Sequence, residues 1–304
     1  MGGYAAYRLG LTYPTVFAQA VALAGAPACG VRLLPGIDIA ADRDPDSHCA
    51  REGETWPLLR NARWLPFVIA HGLLDELVPI FAVAAQVMRL DRLGYRYRFT
   101  LYPAEDHVVL AAQGKFGDAV SHMGTAARQA DPGHITYAWY PQLQRPDLGL
   151  GPDTVWWITG LRADARVASQ RGVVATVDAR SYARPDQTHR SHRRGGAILN
   201  FDPTPGGYVE RVWRFGPPAE AQPRLALRLT GVAALTVDTN RAGLAALARS
   251  TITVRTDSTA EITLDALPPS TTVRIDGSPT DGTVTVPPGR HRITLAPGAA
   301  HPTG

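Results

Sequence analysis

The chain contains few cysteines, a single lysine and no long hydrophobic run. No stretch of its 304 residues is apolar over a length that could span a bilayer, and no basic segment followed by an apolar one opens it. Neither a membrane span nor a signal peptide is therefore predicted. Cys29 and Cys49 fall in one irregular stretch, where either a disulfide or two buried thiols would fit. With so few soft ligands, no metal site is predicted and no cofactor is indicated.

The charge excess is small and spread along the chain. The net charge is +4, and all the basic residues except Lys115 are arginines. The densest basic run, His189 to Arg194, lies among polar residues and glycines, a pattern typical of an exposed loop. Nucleic-acid-binding domains collect their basic residues in a stripe or patch. The sequence therefore argues against a nucleic-acid partner.

Residues 1–130 show the alternation of an α/β domain. Apolar runs at 15–25 and 64–72 predict buried strands, and an alternating run at 95–102 predicts a strand near a sheet edge. Helical patterns occupy 81–93 and 108–119. This order implies parallel strands joined by helical crossovers.

Residues 134–304 read as a second domain that is almost entirely β. Short β-rich runs are separated by turns of Gly, Pro, Asp and Asn, which predicts an all-β, sandwich-like domain with one helical insertion at 241–249. Four tryptophans could either fill its core or line a binding face: Trp139, Trp156, Trp157 and Trp213.

Two strand-end loops in the first domain carry residues suited to acid–base chemistry. Asp75 follows the strand that ends at Gly72, and His107 follows the strand that ends at Tyr102. The carboxyl ends of parallel strands meet at one edge of a sheet, where ligands bind. A carboxylate beside a histidine holds the ring in one tautomer and stabilises its protonated form. The order of acid before histidine is that of the α/β-hydrolase triad.

A nucleophile is missing from this constellation. No serine in the chain lies in a Gly-x-Ser-x-Gly setting, and Ser121, Ser169 and Ser181 all come after His107. The opening stretch Met-Gly-Gly-Tyr leads into a helical pattern with Ala5, Ala6 and Leu9 on one side. If Gly2 is the last glycine of a nucleophile elbow, the serine would precede residue 1.

Three blocks together resemble the end of a prolyl-oligopeptidase-like α/β-hydrolase catalytic domain. They are MGGYAAYRLGLTYPTVFAQAVALAG, NARWLPFVIAHGLLDELVP and YRYRFTLYPAEDHVVL, and they cover about residues 1–124. The β-rich remainder is similar to the C-terminal domain of exported actinobacterial members.

The resemblance implies a partial hydrolase sheet, holding its last strands only, followed by the sandwich-like domain. It implies hydrolysis of a peptide or ester through an acyl-enzyme, with Asp75 as the orienting acid and His107 as the base. The backbone N–H of Met1 would be an oxyanion donor, and Gly2 and Gly3 the elbow glycines. The full-length form would be extracellular or at the cell surface.

The chain departs from the family because the serine, the second oxyanion donor and the first strands are absent from it. The chain as given is therefore expected to be inactive by the triad route. An exposed sheet edge at Val16 to Leu23 would then be open to association. Two explanations remain open at this point. The chain is either the back part of a serine hydrolase, or a non-catalytic remnant whose β domain binds carbohydrate or a cell-surface partner.

Overall fold

The computed structural model describes residues 2–27, 32–34, 37–38, 51–112, 114–124, 126–149, 151, 153–199, 205–245 and 249–298. Strands dominate this part of the chain, and helices are few. Backbone contacts divide the chain into two compact units. The first comprises Met1–Gln129 and His189–Gly216, and the second comprises Ala130–Thr188 and Pro217–Gly304. The sequence pattern assigned everything after residue 134 to the β domain, whereas residues 189–216 lie in the first unit.

The helices and strands are, in chain order, α1 (Gly2–Thr12), β1 (Ala20–Leu23), β2 (Arg32–Leu34), β3 (Ile37–Asp38), β4 (Phe67–Gly72), α2 (Ile80–Arg92), β5 (Tyr97–Tyr102), α3 (His107–Ala112), α4 (Gly117–Ser121), β6 (His134–Trp139), β7 (Ile158–Ala163), α5 (Ala165–Ala168), β8 (Ala175–Ser181), β9 (Gln187–Ile198), β10 (Gly206–Pro218), β11 (Arg224–Thr230), β12 (Val232–Asp238), β13 (Ser250–Thr256), β14 (Ala260–Asp265), β15 (Thr271–Ile275), β16 (Ser278–Thr280), β17 (Thr283–Val286) and β18 (Gly289–Pro297). Short 3₁₀ helices lie at Arg51–Gly53, Pro57–Arg63, Pro141–Leu143 and Pro146–Leu148.

The first unit is built on a five-stranded sheet in the order β1-β4-β5-β10-β9. Strands β1, β4 and β5 run parallel, and β10 is antiparallel to β5. Every residue of β4 is buried, as expected for a central strand that is covered on both faces. In the described residues, β1 pairs on one side only, with β4, and so forms an edge of this sheet. Val16, which precedes it, is 62 % exposed.

Helix α1 packs on this sheet through a different face from the one that the sequence indicated. Ala5 and Leu9 were expected to be apolar contacts, but Leu9 is 48 % exposed. The buried residues are Tyr7, Gly10 and Leu11, and the Tyr7 ring stacks on Phe67 with centroids 5.3 Å apart. Tyr7, Gly10 and Leu11 follow the i, i+3, i+4 spacing of a packed helix face. The aromatic ring, rather than the small alanines, decides which side of α1 is buried.

Three local predictions for the first unit were wrong. Strand β5 is not near an edge, because β10 pairs with it on the side away from β4. The basic run 189–194 is not a loop but lies within β9. The predicted helix at 108–119 is two short helices, α3 and α4, since the chain turns around Gly114, which has a positive φ of 64°.

The second unit contains a seven-stranded sheet in the order β16-β15-β18-β13-β11-β8-β6 and a four-stranded sheet in the order β17-β14-β12-β7. Burial alternates along strands such as β8 and β13, so each has one buried and one more exposed face. The helix expected at 241–249 is absent from the described part of that segment, where 241–245 form a turn.

A short repeat in the chain contributes one pair of parallel strands to each of the two sheets. Strands β11 and β13 pair in parallel in one sheet, and β12 and β14 pair in parallel in the other. Arg224 lies beside Thr251 and Ala234 beside Glu261, so both pairs share an offset of 27 residues. In both aligned stretches, leucine, isoleucine and valine occupy most of the buried positions of these strands. The sequence analysis did not predict this repeat, because each copy contains only two strands: β11 and β12 in the first copy, and β13 and β14 in the second.

Candidate active site

Asp75 lies in the loop that follows β4, and His107 begins α3 directly after the loop that follows β5, both at the same edge of the five-stranded sheet. Strands β4 and β5 are parallel neighbours, and their last residues, Gly72 and Tyr102, are paired in register. The loops that follow therefore emerge side by side. They bring the Asp75 Oδ2 atom to 2.8 Å from the His107 Nδ1 atom. The structure thus brings together the two residues that the sequence singled out.

The loop backbone holds the Asp75 carboxylate in place. Its Oδ1 atom accepts hydrogen bonds from the backbone N–H groups of Leu77 (3.0 Å) and Val78 (2.7 Å). Its side chain is fully buried, whereas the His107 side chain is 29 % exposed. A buried carboxylate with one oxygen bound to backbone amides keeps a fixed orientation. The second oxygen is left facing the histidine.

This contact sets the tautomer of His107. The carboxylate accepts from Nδ1, so Nδ1 carries the proton in the neutral ring, and Nε2 has the free lone pair. A histidine in this state can accept a proton at Nε2, and the carboxylate then stabilises the resulting imidazolium. Such an arrangement can serve as a general base with its orienting acid.

A glycine allows the two loops to approach each other. A Cβ at Gly72 would collide with the carbonyl group of Glu105, which lies two residues before His107. The same carbonyl accepts a hydrogen bond from the backbone N–H of Leu74 (3.0 Å). The Glu105 side chain is itself buried and lies 3.7 Å from the buried Lys115 ammonium group. No sequence pattern marks a role for Glu105 or Lys115, although Lys115 is the single lysine of the chain.

A second histidine lies behind the pair. His71 is fully buried, and its Nε2 atom donates to the Val78 carbonyl at 2.7 Å while lying 3.6 Å from Asp75 Oδ2. Among the described residues, its Nδ1 atom has no hydrogen-bond partner. Burial lowers the pKa of His71, and this outweighs the opposing effects of the Val78 carbonyl and Asp75. His71 is therefore a neutral brace for the Asp75 loop.

We expect His71 to make folding sensitive to mild acid. Below the ordinary histidine pKa of 6.5, the unfolded chain binds a proton at this position and the folded protein resists it, so stability falls as the pH falls. In a His71→Gln variant, the amide can still donate to the Val78 carbonyl but does not titrate. Chemical unfolding between pH 8 and pH 5 should show that the wild type loses stability relative to the variant. Parallel pH profiles would contradict this assignment.

Of the predicted elbow residues, the structure describes Gly2 and Gly3, whereas Met1 lies outside the described residues. Cys29 and Cys49, for which a disulfide was considered, also lie outside them. Gly2 has open space around its Cα, whereas a Cβ at Gly3 would collide with Gly25 and lie 2.6 Å from the Leu23 carbonyl oxygen. Since Leu23 ends β1, the amino end of α1 lies at the carboxyl end of that strand. This is the sheet edge that also carries Asp75 and His107.

A serine–histidine contact elsewhere in the first unit is not an alternative to this pair. Ser121 Oγ lies 3.0 Å from His122 Nδ1, but both groups contact the Asp118 carbonyl oxygen, at 2.7 and 2.8 Å. A carbonyl only accepts, so Nδ1 of His122 carries a proton and cannot take one from the serine. The contact is a local cap at the end of α4.

The tryptophans do not form a binding face. Trp139, Trp156, Trp157 and Trp213 are between 0 and 8 % exposed. Trp157 donates its indole N–H to the Pro132 carbonyl at 2.7 Å, as buried tryptophans usually do. These side chains belong to the cores of their units, and a carbohydrate site built on them is excluded.

Other classes of site find little support in the described part of the chain. No group of three or more His, Cys, Asp or Glu side chains there is arranged to hold a metal ion. None of the helices described has the length and apolar character required to cross a membrane. No protein-family model, curated protein or solved structure matches this chain.

Proposed function

We propose that Asp75 and His107 are the acid and base of a serine hydrolase that cleaves a peptide or ester through an acyl-enzyme. The observation that carries this proposal is the 2.8 Å contact between Asp75 Oδ2 and His107 Nδ1 at the carboxyl edge of parallel strands. In this mechanism, His107 Nε2 removes the proton from a serine hydroxyl as its oxygen attacks the carbonyl carbon. The imidazolium then gives that proton to the leaving group.

The position of α1 supports the placement of the nucleophile. Its amino end meets the carboxyl end of β1 through the close contact of Gly3 with Gly25. A serine directly before this helix would lie on a strand-to-helix turn at the same edge as His107. The backbone N–H groups at the start of the helix would face the oxyanion that forms in the transition state. The proposal thus requires a serine on the amino-terminal side of Met1.

The loops around the pair also suit a substrate with apolar groups. Five large apolar side chains on or beside these loops are exposed by 44 to 64 %: Leu73, Leu74, Leu77, Phe81 and Val108. Exposed apolar side chains next to a polar pair offer contact area to an apolar part of a ligand. A peptide or ester with an apolar portion would bury them.

The test begins with the DNA directly upstream of the Met1 codon and continues with the polypeptide that it encodes together with this chain. An in-frame Gly-x-Ser after an apolar strand is expected. A fluorophosphonate probe should then label that serine, and His107→Ala should abolish labelling. His122→Ala is the matched control, because His122 caps α4 and should leave labelling intact. The absence of an in-frame serine, or labelling that survives His107→Ala, would overturn the proposal.

A further inference from the structure

The exposed face of the seven-stranded sheet in the second unit collects arginines that are far apart in the sequence. Six of them are exposed on the strands and lie on the same side as one another by register: Arg180, Arg224, Arg228, Arg255, Arg290 and Arg292. They come from β8, β11, β13 and β18. An open groove of about 1100 Å³ runs over this face and is lined by four of these arginines.

Three of these arginines form a row across neighbouring strands. Arg228 lies beside Arg255, and Arg255 lies beside Arg290. Adjacent strands are about 4.8 Å apart, and like charges directly opposite each other destabilise a sheet. Within the described residues, none of the three forms an ion pair with a carboxylate. The repulsion between these like charges lowers the stability of the fold. A row that is unfavourable for the fold points to a role in binding a ligand.

The carboxylates on this face offset only part of the charge of the arginines. Asp178 lies opposite Arg228 in register and also accepts a hydrogen bond from His134 Nε2 at 2.9 Å. Asp257, at the end of the groove, accepts from the backbone N–H of Gly231 at 2.8 Å. Four arginines and two carboxylates line the groove, so it keeps an excess of positive charge, which attracts and orients anions.

We propose that this groove, independently of the hydrolase site, binds an anionic polysaccharide whose chain runs across the strands. Guanidinium groups suit carboxylate, sulfate or phosphate groups because they form paired hydrogen bonds with them. Threonines such as Thr230 and Thr253 lie between the arginines and offer hydroxyls to a ligand that is itself rich in hydroxyl groups.

Nucleic acid fits this face less well. Proteins that bind single strands stack bases on exposed aromatic rings, but Tyr182 in this groove is half-buried between Arg180 and Arg224, whose guanidinium groups lie 4.9 and 3.8 Å from the ring centroid. The major groove of DNA is about 12 Å wide and admits a helix or a two-stranded ribbon. A row that spans several strands of a large sheet cannot enter it.

The test measures binding of the full chain to polygalacturonate, heparin, neutral dextran and double-stranded DNA by calorimetry at low and high salt. Polygalacturonate or heparin should bind in a salt-dependent manner, and dextran should not. The triple variant Arg228→Gln, Arg255→Gln, Arg290→Gln should weaken this binding at least about 10-fold.

The matched control changes the same amount of charge outside the groove, through Arg145→Gln, Arg162→Gln and Arg249→Gln. This variant should bind like the wild type. The groove variant should unfold at the same temperature as the wild type or higher, because like-charge repulsion is relieved, so a loss of binding cannot be ascribed to unfolding. The proposal is overturned if neither acidic polymer binds, if both triple variants weaken binding equally, or if DNA binds more tightly through the groove.

Discussion

Replacing Asp75 by Asn is expected to lower the hydrolytic rate by about 10⁴-fold, measured in the polypeptide that includes the proposed serine. The substitution should leave the loop intact, since the Asn carbonyl oxygen can still accept from the N–H groups of Leu77 and Val78. It changes the atom that faces His107. An amide NH₂ there donates to Nδ1 and forces the proton onto Nε2. A histidine in that tautomer cannot act as a base toward serine.

Glu76→Gln provides the matched control for this substitution. Glu76 is the next residue along the chain, its side chain is exposed, and the change removes one carboxylate in the same way. We expect its rate to stay close to that of the wild type. The ratio of the two rates isolates the contact at Asp75 Oδ2 from a general loss of negative charge near the site. Equal rates for Asp75→Asn and the wild type would remove Asp75 from the mechanism.

The second large effect concerns the stability of the first unit. Arg98 on β5 forms two hydrogen bonds with Asp118, of 2.7 and 2.9 Å, and lies 3.5 Å from Glu210 on β10. All three side chains are less than 10 % exposed. Removing one partner of a buried ion pair leaves an uncompensated charge, which costs about 3–5 kcal/mol. Arg98→Met should therefore reduce the free energy of unfolding by this amount in a denaturant titration.

Arg194→Met is the matched control for Arg98→Met, because Arg194 contacts the same Glu210 at 2.6 Å but is 64 % exposed. Surface ion pairs contribute about 0–1 kcal/mol, so its loss should be small. Similar losses in the two variants would show that burial of Arg98 does not decide its contribution.

The same ion pair predicts how the difference between wild type and Arg98→Met depends on pH. Burial alone would raise the pKa of Asp118, but hydrogen bonds from Arg98 and Thr100 outweigh it and lower the pKa below its ordinary value. The stability that Asp118 contributes is therefore present above about pH 4, the ordinary Asp value, and is lost as the pH falls through the lowered pKa. The difference in unfolding free energy between the two proteins should shrink below about pH 4.

The sequence predicted the parts of the fold that depend on local pattern. The apolar run that became β4 is recognisable because a strand covered on both faces must be hydrophobic throughout. The pairing of Asp75 with His107 was also predictable, since loops that follow adjacent parallel strands leave the sheet at one edge. Helix α2 was placed within one residue at each end, because its buried positions, Val83, Val87 and Leu90, follow the helical period.

The sequence did not predict contacts that depend on pairing between distant segments. Strands β9 and β10 join the sheet of the first unit, although they follow the first strands of the second unit along the chain. Nothing local marks this, because a strand shows which residues alternate but not which strand will be its neighbour. The insertion of β10 beside β5 is also what makes β5 an internal strand and buries Arg98 next to Glu210.

By itself, the sequence determined the buried strand β4, the helix α2 and the two residues that form the Asp–His contact. Only the tertiary structure decided how His71, Gly72 and Glu105 hold that pair, because these contacts join loops from different strands. It also decided the charge of the second unit's exposed sheet face. Arginines scattered through the chain lie in one row there, because strand register, rather than distance along the sequence, sets which side chains are neighbours.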